Sequence, residues 1–300
     1  MNEQQHNQWL ENNQAALNAE LDWLQALLES AGEENSVPPG AGTPEVTAPT
    51  LDFLTARFGL SGFERSIVLL CAGAELNSGL LRLCGAQGPT FGMALAVLPD
   101  AHWNALSPAS PLRHWQLVHA SSCDRITSAR LSLDERILHF LLGAGNLDER
   151  LSGLVRPLIP GRSLPASQEF QVNRLISLWE NRETPPVILI QGNDPVAGRE
   201  AAVQACTRLG MQALALQAQD IDPAAGERAH MARLLTREFM LSNAALLIDG
   251  GNAAPSQLAG FMEQIDCPLM LLGDPPDALR RNSAIIEVDK PTTTEQRDMW

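Results

Sequence analysis

One stretch of the sequence combines residue types that could hold a phosphate group. Within residues 187–200, an apolar run, 187–190, leads directly into Gly192, and a helical pattern resumes at about Gly198. A short apolar run of this kind is typical of a buried parallel strand, and glycines after it allow a sharp turn into a helix. Because the first amides of a helix carry partial positive charge, such a turn can bind an anion. The layout therefore indicates a phosphate-binding loop.

The side chains that phosphate chemistry needs are missing from this loop. The usual spacing is Gly, four residues, then Gly-Lys-Ser/Thr, where the lysine contacts phosphates and the hydroxyl binds magnesium. Here five residues separate Gly192 from Gly198, and Arg199 and Glu200 follow. The only lysine in the 300 residues is Lys290. An arginine could supply the charge, but its planar head is a poor substitute in a tight loop. The loop has the shape of a nucleotide site without its chemistry.

The charge distribution excludes several classes of partner. The net charge is −14. Residues 1–50 hold eight acidic and no basic side chains, residues 51–157 hold nine of each, and residues 158–300 hold eighteen acidic against twelve basic. This pattern lacks the basic surface that nucleic-acid binding needs. No apolar run approaches the ~18 residues of a membrane span, and no signal peptide is evident. We therefore expect a cytoplasmic protein without nucleic-acid or membrane partners.

Cysteine and histidine do not predict a metal site. The five cysteines are scattered, and none lies in a CxxC pair. Four histidines, at positions 102, 114, 119 and 139, share no metal-ligand spacing. Buried, reduced thiols are the expected state of the cysteines.

The N-terminus predicts one amphipathic helix, residues 1–30, followed by a flexible linker, residues 31–50. Residues 31–50 are rich in Gly, Pro, Glu, Ser and Thr, which is the composition of a linker. We therefore expect this stretch to separate the helix from the rest of the chain. Two interpretations stay open: the helix packs on its own chain, or it docks a partner or a second copy. Leucines occupy heptad positions a and d of this helix at Leu10, Leu17, Leu21, Leu24 and Leu28.

Residues 51–157 predict a winged-helix-like domain. Ser61 and Glu64 have the spacing of a capping box and open a helix. Alternating apolar residues near 115–117, and again at 126–131, predict a two-stranded wing. A second capping box, from Ser132 to Glu135, starts the closing helix.

This domain does not have the composition of a DNA reader. A winged helix that reads DNA presents Arg and Lys on its third helix and wing. The third helix here offers only Arg82, and the domain is electrically neutral. A protein-docking or structural role is the better interpretation.

Residues 158–300 alternate between helical patterns and short apolar runs. This rhythm predicts an α/β domain with a five-stranded parallel, doubly wound sheet. The five predicted strands are residues 187–190, 213–216, 245–249, 268–272 and 285–288.

The order of these parts resembles an AAA+ ATPase core. The Gly192 loop stands at the Walker A place and Asp249 at the Walker B place. Residues 269–273 stand where such proteins carry their sensor-one strand. With Gly198 and Arg199, these positions form a degenerate nucleotide-binding-like site.

More specifically, the order resembles the multi-domain AAA+ ATPases encoded with extracellular contractile injection systems, which are phage-tail-like toxin-delivery particles. In that family an N-terminal winged-helix region precedes a degenerate AAA-like domain, which precedes an intact ATPase domain. The resemblance rests on residues 51–75, 115–142, 192–199, 245–250 and 291–300. Residues 158–300 would then be an incomplete large subdomain of a degenerate AAA+ domain.

An AAA+ domain normally adds a helical lid after its fifth strand, and Trp300 stands where that lid would begin. The resemblance therefore implies the N-terminal part of a longer protein that assembles as a homo-oligomeric ring. ATP and magnesium would be cofactors of that parent protein, with none firmly expected for these residues.

The departures from the family pattern bear on catalysis. Walker B normally supplies an acid after its aspartate, but Gly250 and Gly251 follow Asp249. We therefore expect a largely non-catalytic docking or regulatory part that acts in particle assembly or cargo loading. Its partners would be injection-particle components or cargo. An active ATPase, or a stand-alone protein-recruiting adaptor, remains an alternative.

Arg280 and Arg281 lie between the fourth and fifth predicted strands. In AAA+ rings this neighbourhood often presents an arginine to the nucleotide of the adjacent subunit, where it stabilises charge on the transferred phosphate. The resemblance makes both residues candidates for a trans arginine finger. A solvated basic helix end is the alternative.

Overall fold

The computed structural model divides into two compact units, Met1–Asn146 and Leu147–Trp300. The predicted linker falls mostly in residues 32–46, and these, like Trp300, lie outside the described residues. Among the described helices, none has the length and apolarity to cross a membrane. The residues described are 3–31, 47–161, 164–180, 184–251, 255–276 and 279–298.

The first unit is mostly helical, with one short antiparallel hairpin before its closing helix. This order agrees with the predicted winged arrangement, but the strands lie a few residues later than predicted, and Ile126–Ser128, expected in the second strand, form a turn of 3-10 helix. Its strands are β1 (Val118–Ala120) and β2 (Leu131–Leu133). Its helices are α1 (Glu3–Ala31), α2 (Pro49–Phe58), α3 (Gly62–Leu76), α4 (Ser78–Leu83), α5 (Phe91–Val97), α6 (Pro111–His114) and α7 (Glu135–Leu141).

The capping box at the start of α3 is confirmed. The Ser61 hydroxyl accepts a hydrogen bond from the Glu64 amide at 3.2 Å, and the Glu64 carboxylate accepts one from the Ser61 amide at 2.9 Å. Two amides that the first turn of a helix leaves unpaired are thereby satisfied.

The second predicted capping box is wrong. Ser132 lies in β2 opposite His119, where the register of the hairpin fixes it. The helix α7 is capped instead by Asp134, whose carboxylate accepts a hydrogen bond from the Arg136 amide at 3.1 Å. Aspartate and serine are both strong N-caps, so the tertiary pairing of the strand decided between them.

The leucine side of α1 is buried within the first unit. Leu10, the fifth leucine of the predicted stripe, is half-buried. This burial supports the interpretation that the helix packs on its own chain. The buried leucines of α1 are Leu17, Leu21, Leu24, Leu27 and Leu28.

Two buried polar side chains fix the position of α1. Asn13 donates a hydrogen bond to the Leu141 carbonyl at 2.9 Å and accepts one from the Thr50 hydroxyl at 2.9 Å. Glu20, fully buried, forms an ion pair with Arg65 at 2.6 Å. A buried charge left without its partner is strongly destabilising, so this pair allows one placement of the helix.

The second unit contains a six-stranded sheet. Its strand order is β3-β5-β6-β7-β4-β8. The strands are β3 (Val155–Leu158), β4 (Val187–Gln191), β5 (Gln212–Gln217), β6 (Ala244–Asp249), β7 (Leu269–Leu272) and β8 (Ser283–Glu287). The helices are α8 (Ala166–Trp179), α9 (Pro195–Arg208), α10 (Ala225–Ser242), α11 (Pro255–Met262) and α12 (Thr293–Asp298).

The prediction of a five-stranded parallel sheet is wrong. The five predicted strands are present and run parallel to their neighbours, but β3 adds a sixth that runs antiparallel to β5. The predicted domain boundary after residue 157 falls within this strand. Its four residues include Pro157, which is tolerated at a sheet edge. Because proline argues against a strand, this one was not predicted.

Helices cover both faces of the sheet. In β4, Ile188 and Ile190 pack on the side of α8 and α9, whereas Val187 and Leu189 pack on the side of α10 and α11. Burial on both faces explains why β4 reads as a continuous apolar run rather than as an alternating one.

The five cysteines are free thiols. Three of them, Cys71, Cys206 and Cys267, are buried, as expected, but Cys84 is half-buried and Cys123 is exposed. Burial raises the pKa of the Cys206 thiol to about 12, so it is protonated and inert at neutral pH.

Replacing a buried leucine of α1 should destabilise the first unit. Leu24 is fully buried, so Leu24→Ala should lower the free energy of unfolding by about 2–5 kcal/mol. Urea denaturation measures the change. Leu81→Ala is the matched control, because Leu81 is 40% exposed and should cost at most about half as much. Equal losses would contradict the packing of α1.

Candidate functional site

The candidate site lies where the parallel strands end. The carboxyl ends of parallel strands meet at one edge, and ligands of open α/β sheets bind there, near the point where the chain reverses direction across the sheet. Strand β4 lies between β7 and β8, and its chain continues through α9 to the distant β5. A glycine follows each of three strands at this edge, at Gly192, Gly250 and Gly273.

Gly192 is required by the backbone of a neighbouring strand. Its φ is +143°, and a Cβ atom built there would lie 2.0 Å from the Val288 carbonyl oxygen. The Val288 amide also donates a hydrogen bond to the Gln191 carbonyl at 2.7 Å. The close approach that demands glycine is therefore to the end of β8, and it explains the residue without a phosphate.

A carboxylate occupies the first amides of α9. The Asp194 side chain accepts hydrogen bonds from the Val196 amide at 3.0 Å and the Ala197 amide at 3.3 Å. These donors are the ones that a helix N-terminus would offer to phosphate. Asp194 satisfies them and adds a negative charge that repels an anion.

Sequence reasoning missed the role of Asp194, although a local signal was available. Aspartate directly before Pro195 is the signature of an N-cap followed by the first helical residue. That signature starts α9 three residues after Gly192, too early for a phosphate loop.

Gly198 lies inside α9 rather than in a loop. A Cβ atom there would lie 2.7 Å from Leu272 Cδ1 and 3.0 Å from Ile190 Cγ2. Glycine allows α9 to pack closely on β4 and β7, as a small residue does at a tight helix–sheet contact. Glu200, two residues on, accepts a hydrogen bond from the Gly161 amide at 3.0 Å.

The structure brings Arg199 and Asp249 together. The Arg199 guanidinium donates to the Asp249 carboxylate at 2.7 Å, and the Gln217 amide approaches the same oxygen at 3.5 Å. These side chains come from α9, β6 and the end of β5. Both members of the ion pair remain partly exposed, so the pair contributes no more than about 1 kcal/mol to stability.

The position after Asp249 has little room for an acid. The Gly250 amide donates to the Leu272 carbonyl at 2.9 Å, and a Cβ atom on Gly250 would lie 3.1 Å from that oxygen. The glycine is thus a consequence of close approach between the ends of β6 and β7.

ATP with magnesium does not fit this arrangement. The first-turn amides hold the Asp194 carboxylate, and the carboxylate expected to hold magnesium is paired with Arg199. No lysine follows Gly198 and no second acid follows Asp249, so two groups that phosphoryl transfer uses are missing from their positions. Within the described ranges, no group of three or more His, Cys, Asp or Glu could hold a metal ion.

Arg281 is engaged at the end of a helix. Its guanidinium donates to the carbonyls of Met262 at 3.2 Å, of Cys267 at 3.5 Å, and of Ile265. Carbonyls at a helix C-terminus lack partners within the helix and carry partial negative charge. Arg281 therefore caps α11 and the turn that follows it.

Arg280 differs from its neighbour, because its side chain is exposed. The Glu263 carboxylate accepts hydrogen bonds from the amides of Arg280 at 2.6 Å and Arg281 at 3.1 Å. Both arginines precede β8 and so lie at the amino edge of the parallel strands, opposite Gly192 and Asp249. Neither joins the site of its own chain, and the trans arginine finger stays a prediction.

With helices α2–α4, a hairpin and a closing helix, the first unit is that of a winged-helix protein. Residues 1–155 match the family described as "Winged helix domain, variant", and the chain belongs to this family. No curated protein matches the chain. Among solved structures it is similar to "Structure of Rhizobiales Trip13", with 18% identity over 50% of this chain and 67% of that one. That similarity is weak, at a TM-score of 0.29.

The backbone role of Gly192 can be tested by substitution. Gly192→Ala should lower the free energy of unfolding by about 2 kcal/mol or more, because the methyl group meets a carbonyl and φ is strained. Gly260→Ala is the control: nothing lies within 4 Å of its Cβ position, and it should be stabilising by ~0.5–1 kcal/mol. Denaturant unfolding measures both, and a neutral Gly192→Ala would refute the contact.

The adjacent arginines provide a second pair of variants. Arg281→Ala should lower the free energy of unfolding by about 1–3 kcal/mol, because it removes charge-assisted hydrogen bonds to helix-end carbonyls. Arg280→Ala should change it by less than about 0.5 kcal/mol, as an exposed side chain. Thermal or urea unfolding measures both variants. Similar losses from the two would show that Arg281 has no special structural role.

Proposed function

We propose that this chain is a non-catalytic docking and regulatory part of an AAA+ ATPase that serves a contractile injection system in particle assembly or cargo loading. The observation that carries the non-catalytic part is the occupation of the phosphate and magnesium positions by Asp194 and by the Arg199–Asp249 pair. On this proposal the module works in the cytoplasm within a homo-oligomeric parent protein, and its partners are particle components or cargo.

The AAA+ assignment is supported by the layout of the second unit. Gly192 follows the interior strand β4, and Asp249 ends a strand two positions away in the same parallel array. A winged-helix unit precedes this sheet in the chain. The injection-system assignment rests on that same succession of a winged helix and a degenerate nucleotide-type sheet.

The docking role is supported by the surface of the winged helix. Its third helix, α4, presents Leu81 and Leu83 at 40% and 38% exposure, beside Leu76 at 39%. A helix that reads DNA would carry arginine and lysine there, but Arg82 is its one basic residue. Exposed leucines grouped with few charges favour a protein partner. The same surface would serve a stand-alone adaptor.

The arrangement predicts that this chain binds no nucleotide. Titration of the 300-residue chain with ATP and magnesium should give no saturable heat and no thermal shift, because the helix amides and Asp249 are already engaged. Calorimetry and a phosphate-release assay measure binding and turnover. An intact P-loop ATPase, run alongside, shows that the assays respond.

Arg199→Ala is the matched variant. It should change the free energy of unfolding by less than about 1 kcal/mol and should leave phosphate release at background. Saturable ATP binding by the wild type, lost in Arg199→Ala, would instead support the alternative of an active ATPase with an arginine phosphate contact.

A further inference from the structure

Strand β8 is the outermost described strand on one side of the sheet, and its residues Ser283, Ile285 and Glu287 are exposed. It pairs with β4 on one side, and no described strand pairs with its other side. The Asn282 carbonyl and the Val288 amide both bond to the β4 side. Because successive residues of a strand alternate in direction, the N–H and C=O groups of Ser283, Ile285 and Glu287 point away from β4.

The opposite edge of the sheet is protected against such pairing. There β3 has four residues, and Pro157 among them removes one amide donor. Proline and short length are the usual means of keeping a sheet edge from recruiting another strand. The residues of β8, Ser283–Glu287, include neither proline nor lysine.

The side chains of β8 also divide between a core face and an open face. Ile286 is buried with the core beneath α8 and α9. Ile285 is 47% exposed on the other face, flanked there by exposed Ser283 and Glu287. An apolar side chain thus lies at the centre of the exposed residues of β8, between two polar ones.

We propose that a second copy of this chain pairs with β8 in an antiparallel manner, with Ile285 on the two-fold axis. In this register Ser283 lies opposite Glu287 of the partner strand, and Ala284 lies opposite Ile286. Each outward-pointing residue meets another outward-pointing residue, so the pairs can exchange both N–H···O bonds. Serine can donate to the facing carboxylate, and the two exposed isoleucines cover each other.

Hydrogen-bond geometry selects this arrangement over the parallel one. In a parallel ladder, a residue whose N–H and C=O point towards the partner strand faces a residue that points away, so the outward-pointing residues of two copies cannot pair in register. The antiparallel register separates the two carboxylates to the ends of the ladder. The strand is therefore complementary to itself in one direction only, which is the property of an isologous two-fold interface.

The contact joins two six-stranded sheets into one continuous sheet. Five residues per chain bury little area, so the dimer should be weak and concentration-dependent. Covalent trapping is a suitable measurement, because it captures weak dimers and reports register.

Three single cysteine variants on a Cys123→Ser background test the register, since Cys123 is the exposed native thiol. Directly opposite residues have Cα atoms about 5.5 Å apart, within disulfide range. Under a mild oxidant, Ile285→Cys should therefore form covalent dimer at least ~5-fold more than Ser283→Cys or Glu287→Cys alone. In those two variants the equivalent cysteines lie about 13 Å apart.

The strongest test of the register mixes the two variants that should not cross-link alone. Ser283→Cys and Glu287→Cys face each other across the axis, so a one-to-one mixture should yield heterodimer that neither gives alone. Ile285→Lys should abolish the concentration-dependent shift in sedimentation while preserving the far-ultraviolet spectrum, since an edge lysine blocks pairing.

Two outcomes of the cross-linking and sedimentation measurements would contradict the proposal. Equal cross-linking by all three single variants would indicate random collision rather than a defined register. Absence of cross-linking in Ile285→Cys, with a single monomer species in sedimentation, would mean that β8 does not pair with a second copy. Neither result bears on nucleotide binding, which is measured separately.

Discussion

The burial of strand β4 on both faces and along both edges is the constraint on which the second unit depends. Its backbone is satisfied by β7 and β8, and its side chains by helices above and below. Because β4 is surrounded on all sides, the residues that follow it must pass close to the neighbouring strands. Gly192 and Gly198 are the two points of closest approach, to β8 and to β7. The two glycines that suggested a phosphate loop are thus explained by packing.

Elements encoded by local patterns were predictable from the sequence. The buried strands, the leucine side of α1 and the Ser61 capping box depend on neighbours within a few residues. The strand β3 was missed because its pairing with β5 is long-range and Pro157 argued against it. The cap of α7 was misassigned because the hairpin register, and not the local sequence, places Ser132 in a strand.

The residues of the candidate site were predictable from the sequence, but the contacts between them were not. Gly192, Gly198, Arg199 and Asp249 were each identified by position in a motif. That Arg199 bonds Asp249, fifty residues away, follows from the arrangement of α9 over the strand ends. Charged partners so far apart leave no periodic signal. Arg281 was likewise identified as a charged residue. Its partners are backbone carbonyls, which every residue carries, so the sequence could not show which ones it binds.

The hydrogen bond from Asn13 to the Leu141 carbonyl spans 128 positions of the chain. During synthesis, at about 5–20 residues per second, the first helix emerges roughly 6–25 s before the residues that receive it. Contacts between residues so far apart in the chain form slowly, because the entropic cost of closing the loop comes before the contacts stabilise it. The leucine side of α1 is therefore uncovered until α3 is made, since Leu21 lies beside Gly73, and the hydrogen bond that fixes the helix forms only after Leu141.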